Sequence, residues 1–401
     1  MLEQRRLTRG AVLAAGLGIA ARILKPLVFV RLVRFGQAFG YVLRSPMYYL
    51  LLKEQERARR ARRRFDIAFW NGETPDREIA KMWCRQIRLV QDPLPKFLTR
   101  LLIVVAWYWQ QSDLMKEHVL DFSLPAQMNS EILNTAGLRG RLRLAPSEVS
   151  DVRECLRELG IPSGSPVVLL HVRDGSHDLH SSSEFDTQCA GASTASFQSS
   201  VDYLRDMGYS VLTFGNHPSS QTDLKGVNEY HRSEGRRALR DITLASAARL
   251  YMGTAAGAPS GAAINFRVPT LLTNHLIVGS NHAAEFMNYG MSIIIPKNFR
   301  KSGALLAQSE CFAQDLPISD RGLARMGVTA EDNDPQDILS ALKELLAILA
   351  GEDSWESMRQ SSEQIAFFRV FDQHVKLPRV AKTESAVISP SFLRKYPHWL
   401  R

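Results

Sequence analysis

Residues 166–178 read PVVLLHVRDGSHD, an apolar run that ends abruptly in His171, Arg173 and Asp174. A short, unbroken apolar run between turn signals reads as a strand buried on both faces, the kind a parallel sheet requires. The flanking sequence agrees. DVRECLRELGIP has a helical period closed by Gly160 and Pro162, FQSSVDYLRDMG is a helix stopped at Gly208, and YSVLTFG is the next strand. GVNEYH (a short strand), RDITLASAA (helix), RLYMGT (strand) and VPTLLTN (strand) continue the alternation. Strands separated by helices predict an α/β fold, a right-handed parallel sheet with helices on both faces. Such sheets bind ligands beyond the carboxyl ends of their strands, where the strand order reverses. His171, Arg173 and Asp174 stand on that rim, at the exit of the first strand.

The chain has 401 residues, 45% hydrophobic and 23% charged, which excludes disordered and fibrous classes and predicts two domains. Fifty Lys and Arg against 41 Asp and Glu leave a net charge of +9, which favours anionic partners such as nucleotides, phosphorylated sugars and acidic lipid headgroups. No nucleic-acid partner is expected, because no helix-turn-helix, zinc-finger or aromatic RNA-binding pattern accompanies the charge. Cys84, Cys155, Cys189 and Cys311 stand far apart, without CxxC pairs or histidines at ligand spacing, so they read as isolated thiols of a cytoplasmic protein and no metal is expected.

The N-terminus reads MLEQRRLTRG before AVLAAGLGIAA, 11 uncharged residues that end at Arg22. Crossing a bilayer takes about 20. Its twin arginines invite an export reading, but Arg22, Lys25, Arg31 and Arg34 follow at once and no cleavage site is evident. Two readings stand: a basic helix lying on a membrane surface, peripheral to the inner face, and a first helix packed on its own domain. LVFVRLV reads as a strand, Gly36 and Gly40 as a turn, and the helix that follows as running into KEQERARRARRR. Arg57, Arg59, Arg60, Arg62, Arg63 and Arg64 then form either a solvated helix end or an anchor for anionic lipid. FDIAFW is a strand, TPDREIAKMWCRQIRLV a helix, and LLIVVAWYWQ an apolar run expected in the core with Trp107 and Trp109. The expected organisation is a basic and apolar segment over 1–27, an N-terminal acceptor-side domain over 28–150, a C-terminal domain over 151–345 and a helical tail over 346–401.

Arg173 is the first candidate for chemistry. Its planar fork stays charged at any working pH and can donate two parallel hydrogen bonds to a diphosphate; a salt bridge to a neighbouring loop is the competing role. His171 shares its face of the strand and would orient the arginine or donate to a ligand. Asp174 is the candidate general base for an acceptor hydroxyl, or a loop cap. MGTAAGAPSGAAINFRVP supplies small residues after a strand, so Thr254, Gly257, Ser260 and Gly261 would let backbone amides and a helix N-terminus approach a phosphate. TFG, ending at Gly215, and TN, ending at Asn274, close two more strands on the same rim. GxSxG, GxxxxGK[ST] and HExxH are absent from the sequence.

RFGQAFG, FDIAFWNGETPDREIAKMWCR, VVLLHVRD, DYLRDMGYSVLTFG, LYMGTAAG, VPTLLTN, SIIIPKNF and ISPSFLRKYPHWL together resemble a bacterial family of glycosyltransferases found with surface-polysaccharide genes, and more distantly the fucosyltransferase-like GT-B enzymes. The resemblance runs from about Val28 to the C-terminus, and HVRD carries most of its chemical specificity. It implies a GT-B-like fold, two Rossmann-like domains facing a cleft with the C-terminal tail packing back on the N-terminal domain. It also implies a donor diphosphate held by Arg173 beside His171, a nucleotide bound near Thr254 and Gly257, and no metal or other cofactor. Gly36 and Gln37 would lie on the acceptor side. The chain departs from the family at Gln37, where a histidine is usual, and at Ala256, where a serine is usual. Glu184 to Phe197 lacks the usual Arg-Asn pair.

The expected activity is transfer of a sugar from a nucleotide-diphosphate sugar to a hydroxyl of a surface glycan or lipid-linked acceptor. The alternatives are a non-catalytic relative that keeps the fold and binds a nucleotide or glycan, and a membrane-associated scaffold.

Overall fold

The computed structural model describes residues 2–25, 29–36, 39–58, 64–71, 77–89, 96–122, 142–173, 191–214, 224–254, 257–277, 291–317, 319–374 and 386–401. They form two compact units, one of Met1–Ile132 with Arg141–Arg143 and one of Leu133–Gly140 with Leu144–Arg401. Each is an α/β unit around its own parallel sheet.

The first unit contains α1 (Leu2–Leu24), β1 (Phe29–Phe35), α2 (Phe39–Ala58), β2 (Arg64–Trp70), α3 (Arg77–Cys84), α4 (Lys96–Gln110) and β3 (Val119–Phe122). Its sheet runs β2-β1-β3, with both pairings parallel and Phe35 level with Trp70 and Phe122. Leu32 and Phe69 meet Ala14, Ala21, Val105, Ala106, Trp109 and Met115 in one apolar core, so the strands LVFVRLV and FDIAFW form as expected. LLIVVAWYWQ is the body of α4. Trp109 is buried and its Nε1–H donates to the Ala14 carbonyl at 2.9 Å, while Trp107 is exposed, because neighbours two apart on a helix face different ways.

Two arginines of β1 are buried. Arg31 donates from Nε and Nη2 to the two Asp66 oxygens, both at 2.8 Å, and from Nη1 and Nη2 to Glu56 at 2.6 and 3.0 Å. Tyr49 and Lys53 also donate to Asp66, at 2.8 and 2.9 Å. Burial pushes the Asp66 carboxyl up, but the bonds and charges of Arg31 and Lys53 outweigh it and hold the group down at about 2. Arg34 on the opposite face of the strand is paired with Asp121. The expected helix end of arginines is corrected at Arg64. Arg57 is exposed in the last turn of α2, but Arg64 opens β2, pairs with Glu56 and lies 5.7 Å over the Phe29 ring, because parallel pairing with β1 draws it into the sheet. Arg59, Arg60, Arg62 and Arg63 lie outside the described residues.

The second unit begins with α5 (Pro146–Glu158), β4 (Val167–His171), α6 (Gln198–Asp206) and β5 (Ser210–Thr213). It continues with α7 (Ala238–Thr243), β6 (Ala248–Thr254), α8 (Gly257–Asn265), β7 (Thr270–His275) and β8 (Ser292–Pro296). Then come β9 (Asn298–Lys301), β10 (Ala304–Leu305), α9 (Gln308–Ala313), α10 (Asp320–Arg325), β11 (Val328–Glu331) and α11 (Pro335–Ala350). The chain closes with α12 (Trp355–Arg359), α13 (Ser362–His374), β12 (Val387–Ile388) and α14 (Pro390–Lys395). Six strands form a sheet in the order β12-β8-β7-β6-β4-β5, parallel throughout. Val168, Leu169, Leu170, Leu212, Leu250, Met252, Leu271 and Ile294 fill its centre, which is why these strands read as unbroken apolar runs. β9, β10 and β11 form a small antiparallel sheet that the sequence pattern did not suggest.

One expectation changes. GVNEYH is not a strand: it makes one bridge between Leu212 and Asn228 and then a 3-10 turn over Tyr230–Arg232. The turn buries the Tyr230 ring while its hydroxyl donates to Asp241 at 2.9 Å, and a buried phenol needs such a partner. The C-terminal tail is built into the second unit. β12 pairs with β8, the Ile388 N–H donates to Gln364 at 2.9 Å, Tyr396 donates to Asp337 at 2.9 Å and Trp399 to Asn298 at 2.9 Å. The edge of β8 offers a ladder to pair, and the tail satisfies it.

Candidate functional site

β4 occupies the decisive place in the large sheet. The chain passes from β4 to β5 on one side and then returns to β6 on the other, so strand order reverses between β4 and β6. Ligands of open α/β sheets bind outside the carboxyl ends of the strands at that reversal. His171 ends β4 there, opposite Gly253 of β6.

Gly253 makes this junction possible. Its φ is +148°, and a Cβ built on it would stand 1.8 Å from the His171 carbonyl oxygen. No other residue fits. Next to it, the buried Thr254 accepts the Arg173 backbone N–H on Oγ1 at 2.8 Å, and the Thr254 carbonyl accepts the Tyr251 hydroxyl at 3.1 Å. The loop leaving β4 is thereby tied to the end of β6. His171 is buried with Nδ1 2.7 Å from the Phe214 carbonyl, and since a carbonyl only accepts, Nδ1 carries a proton. Replacing Thr254 with Val removes the acceptor for a sheltered N–H and is expected to cost about 1–2 kcal/mol in urea unfolding, with Thr254→Ser close to wild type.

α8 starts at Gly257, shortly after β6 ends at Thr254, so its N-terminal end, where the first amides of any helix have no partner within the helix, lies at the same reversal. Thr254, Gly257, His171 and Arg173 are therefore brought together at one rim. Gly36 sits at the carboxyl end of β1 in the other unit, where that smaller sheet also reverses between β1 and β3. Asp174, Gly215 and Gln37 lie outside the described residues.

Asn274 has a different task. It has φ +52°, a left-handed conformation that asparagine tolerates, and it exchanges hydrogen bonds with Asn333: its N–H to Asn333 Oδ1 at 2.5 Å and the Asn333 N–H to its Oδ1 at 2.7 Å. Its side-chain oxygen is spent on holding β7 to the segment after β11. Thr213 is similarly engaged, 2.7 Å from His231 Nδ1, and burial holds the His231 imidazole below its usual value.

Three residues of this rim escaped sequence reasoning. Lys297, only 3% exposed just after β8, is ion-paired with Asp332, whose other oxygen accepts the Ser193 N–H at 3.2 Å. The Ala192 N–H in turn donates to the Arg173 carbonyl at 3.0 Å, so a chain of contacts links Arg173 to β8. Gly253 was legible in principle, since a glycine inside the strand pattern RLYMGT marks a close backbone approach. Among the described residues no group of three His, Cys, Asp or Glu side chains is placed to hold a metal ion.

No protein-family model matches the chain, and no curated protein matches it. Among solved structures it is similar to a glycosyl transferase family 9 protein from Veillonella parvula, with TM-score 0.43 and 12% identity over 80% of this chain and 98% of that one. It is also similar to the ADP-heptose LPS heptosyltransferase II of E. coli, with TM-score 0.40 and 12% identity over 81% of this chain and 100% of that one. A third likeness is to S. aureus MnaA solved with UDP, with TM-score 0.31 and 8% identity over 86% and 97%. These are likenesses of coarse architecture, and no residue's role is taken from them.

Proposed function

We propose that the chain is a glycosyltransferase of GT-B type that takes a nucleotide-diphosphate sugar and passes the sugar to a hydroxyl of a surface glycan or lipid-linked acceptor on the cytoplasmic side of the membrane. The observation that carries this reading is the convergence at the β4–β6 reversal: Arg173 tied through its N–H to Thr254, and the start of α8 at Gly257, on strands that only Gly253 allows to close. An arginine fork and helix N-terminal amides suit a diphosphate, whose charge rises as it departs.

In the proposed step an acceptor oxygen bonds to the anomeric carbon while the bond from that carbon to the diphosphate oxygen breaks. Arg173 and the α8 amides take up the leaving charge, so the step needs no metal. The hydroxyl proton goes to Asp174 or to a carboxylate of the N-terminal unit. His171 and Gly215 would complete the donor side, and Gly36 and Gln37 the acceptor side.

The test is calorimetric titration with GDP, UDP, ADP and CMP sugars, followed by transfer assays with the sugar that binds. Arg173→Ala is expected to weaken that donor by about 10- to 100-fold, the worth of charge-assisted hydrogen bonds, with Arg173→Lys in between because a point charge lacks the fork. Unchanged affinity in Arg173→Ala would sink the placement of the diphosphate. A second reading, a binding protein that has lost transfer, draws support from Gln37 and Ala256, where the resembling family carries polar groups, and from the engagement of Asn274 with Asn333. Donor binding without transfer to any hydroxyl acceptor would favour it.

A further inference from the structure

The first helix is assembled the opposite way round from a helix on a water-facing surface. Ala14, Gly18 and Ala21, spaced four and three residues apart, face inward, and a Cβ on Gly18 would already meet the Trp109 Nε1 at 3.3 Å and the Met115 sulfur at 3.4 Å. Its large aliphatic residues face outward: Val12, Ile19 and Ile23 are 69, 63 and 71% exposed, and Leu13, Leu17 and Leu24 are exposed with them. An ordinary amphipathic helix buries its large residues and shows charge. Between Ala11 and Ala21 this helix has no charge to show.

The neighbouring surface of the same unit extends the pattern. Phe97, Val104, Trp107 and Leu114 are exposed on or just after α4, and a groove of about 280 Å³ between the two helices is lined by Ala11, Ala15, Ile19, Tyr108, Leu114 and Arg22. Large apolar side chains exposed on both helices mark an interaction site. The charge around it selects the partner. From Leu2 to Lys25 the sequence has five basic residues, Arg5, Arg6, Arg9, Arg22 and Lys25, against the single acid Glu3, and of the five Lys25 is ion-paired with Glu117 at 2.5 Å. A second copy of the chain would set like charges against each other across such a face, whereas an anionic lipid surface complements both the aliphatic centre and its basic ends.

We infer that the outer face of α1, with the exposed side chains of α4 and Leu114, docks the protein on the surface of an anionic bilayer, the aliphatic residues entering the headgroup boundary and Arg22 meeting lipid phosphates. The uncharged run is about 16 Å long at 1.5 Å per residue, half of a hydrocarbon core of about 30 Å, so the helix lies in the interface. Among the described residues no helix is long and apolar enough to cross a membrane. The proposal stands independently of the transferase reading.

The test is vesicle pelleting of the full chain at low and high salt, with phosphatidylcholine vesicles and with phosphatidylcholine carrying about one third phosphatidylglycerol. Wild type is expected to pellet at least about tenfold more with the anionic vesicles, and added salt to reduce this. The double variant Ile19→Glu with Ile23→Glu is expected to lose at least about tenfold of that binding. Both positions are exposed, so its circular dichroism and thermal midpoint should match wild type; a variant that unfolds is replaced by Val12→Glu with Leu17→Glu. No pelleting of wild type, equal pelleting with neutral and anionic vesicles, or pelleting of the folded double variant at the wild-type level would overturn the inference. So would light scattering that finds a wild-type dimer which the same substitutions dissolve while vesicle binding stays absent.

Discussion

Gly253→Ala is expected to lower the stability of the second unit by about 4 kcal/mol or to prevent its folding, the sum of a strained backbone and a clash that no rotamer relieves. The added methyl would stand 1.8 Å from the His171 carbonyl oxygen, and both partners are backbone, so β4 and β6 must part where the ladder pairs His171 with Gly253. Gly208→Ala is the control. Gly208 has φ +82° with open space around its Cβ position, so this change carries only the left-handed penalty of about 1–2 kcal/mol. Urea unfolding of the two variants separates clash from conformation. Gly253→Ala as stable as Gly208→Ala would mean that the strands do not approach as closely as described. In protein that still folds, the proposed nucleotide-sugar binding should fall with it, since Thr254 moves with β6 and the Arg173 N–H loses its acceptor.

Arg31→Met is expected to destabilise the first unit by about 3–5 kcal/mol, because removing one partner leaves buried charge uncompensated. Arg31 and Asp66 side chains are 3 and 4% exposed, and among the described residues Asp66 would keep Lys53 and Tyr49 as partners. Combining Arg31→Met with Asp66→Asn should cost less than the two single changes added together, as expected for groups in direct contact. The same cluster sets an acid limit. Asp66 titrates at about 2 in the folded chain against 3.8 ordinarily, so its contribution is complete above the ordinary value and is lost as pH falls through 3.8 toward 2. A depression of this size is worth about 2 kcal/mol, read as the fall in unfolding free energy between roughly pH 5 and pH 2. In Arg31→Met that fall should shrink. An unchanged acid limb would assign it to other carboxylates.

The parallel sheet was legible because each strand is covered on both faces and so reads as an apolar run with a helix on either side. Val167 to Leu170, Leu250 to Met252 and Leu271 to Leu272 all follow that rule. The ties that shape the rim were not legible, since their partners are remote: Asn274 and Asn333 are 59 residues apart, Lys297 and Asp332 are 35 apart, and Arg173 and Thr254 are 81 apart. Local pattern carries no record of such pairs. It also misassigned charge. Arg64 read as the end of a basic helix, yet it pairs with Glu56, and Arg31 and Arg34 of the strand beside it meet Asp66, Glu56 and Asp121 inside the first unit, where the burial of carboxylates on α2, β2 and β3 admits them.

By itself, then, the sequence determined the α/β class, the strand HVRD leaves and the side of the sheet on which it stands, because hydrophobic periodicity and the direction of a parallel strand are local properties. Only the tertiary structure decided that β4 lies at the reversal of strand order, that Gly253 brings β6 against it, that the C-terminal tail completes the sheet of its own unit, and that α1 turns its alanines inward and its large aliphatic residues outward. Each of these depends on which distant segment packs where, and that choice is made by contacts between residues far apart in the chain.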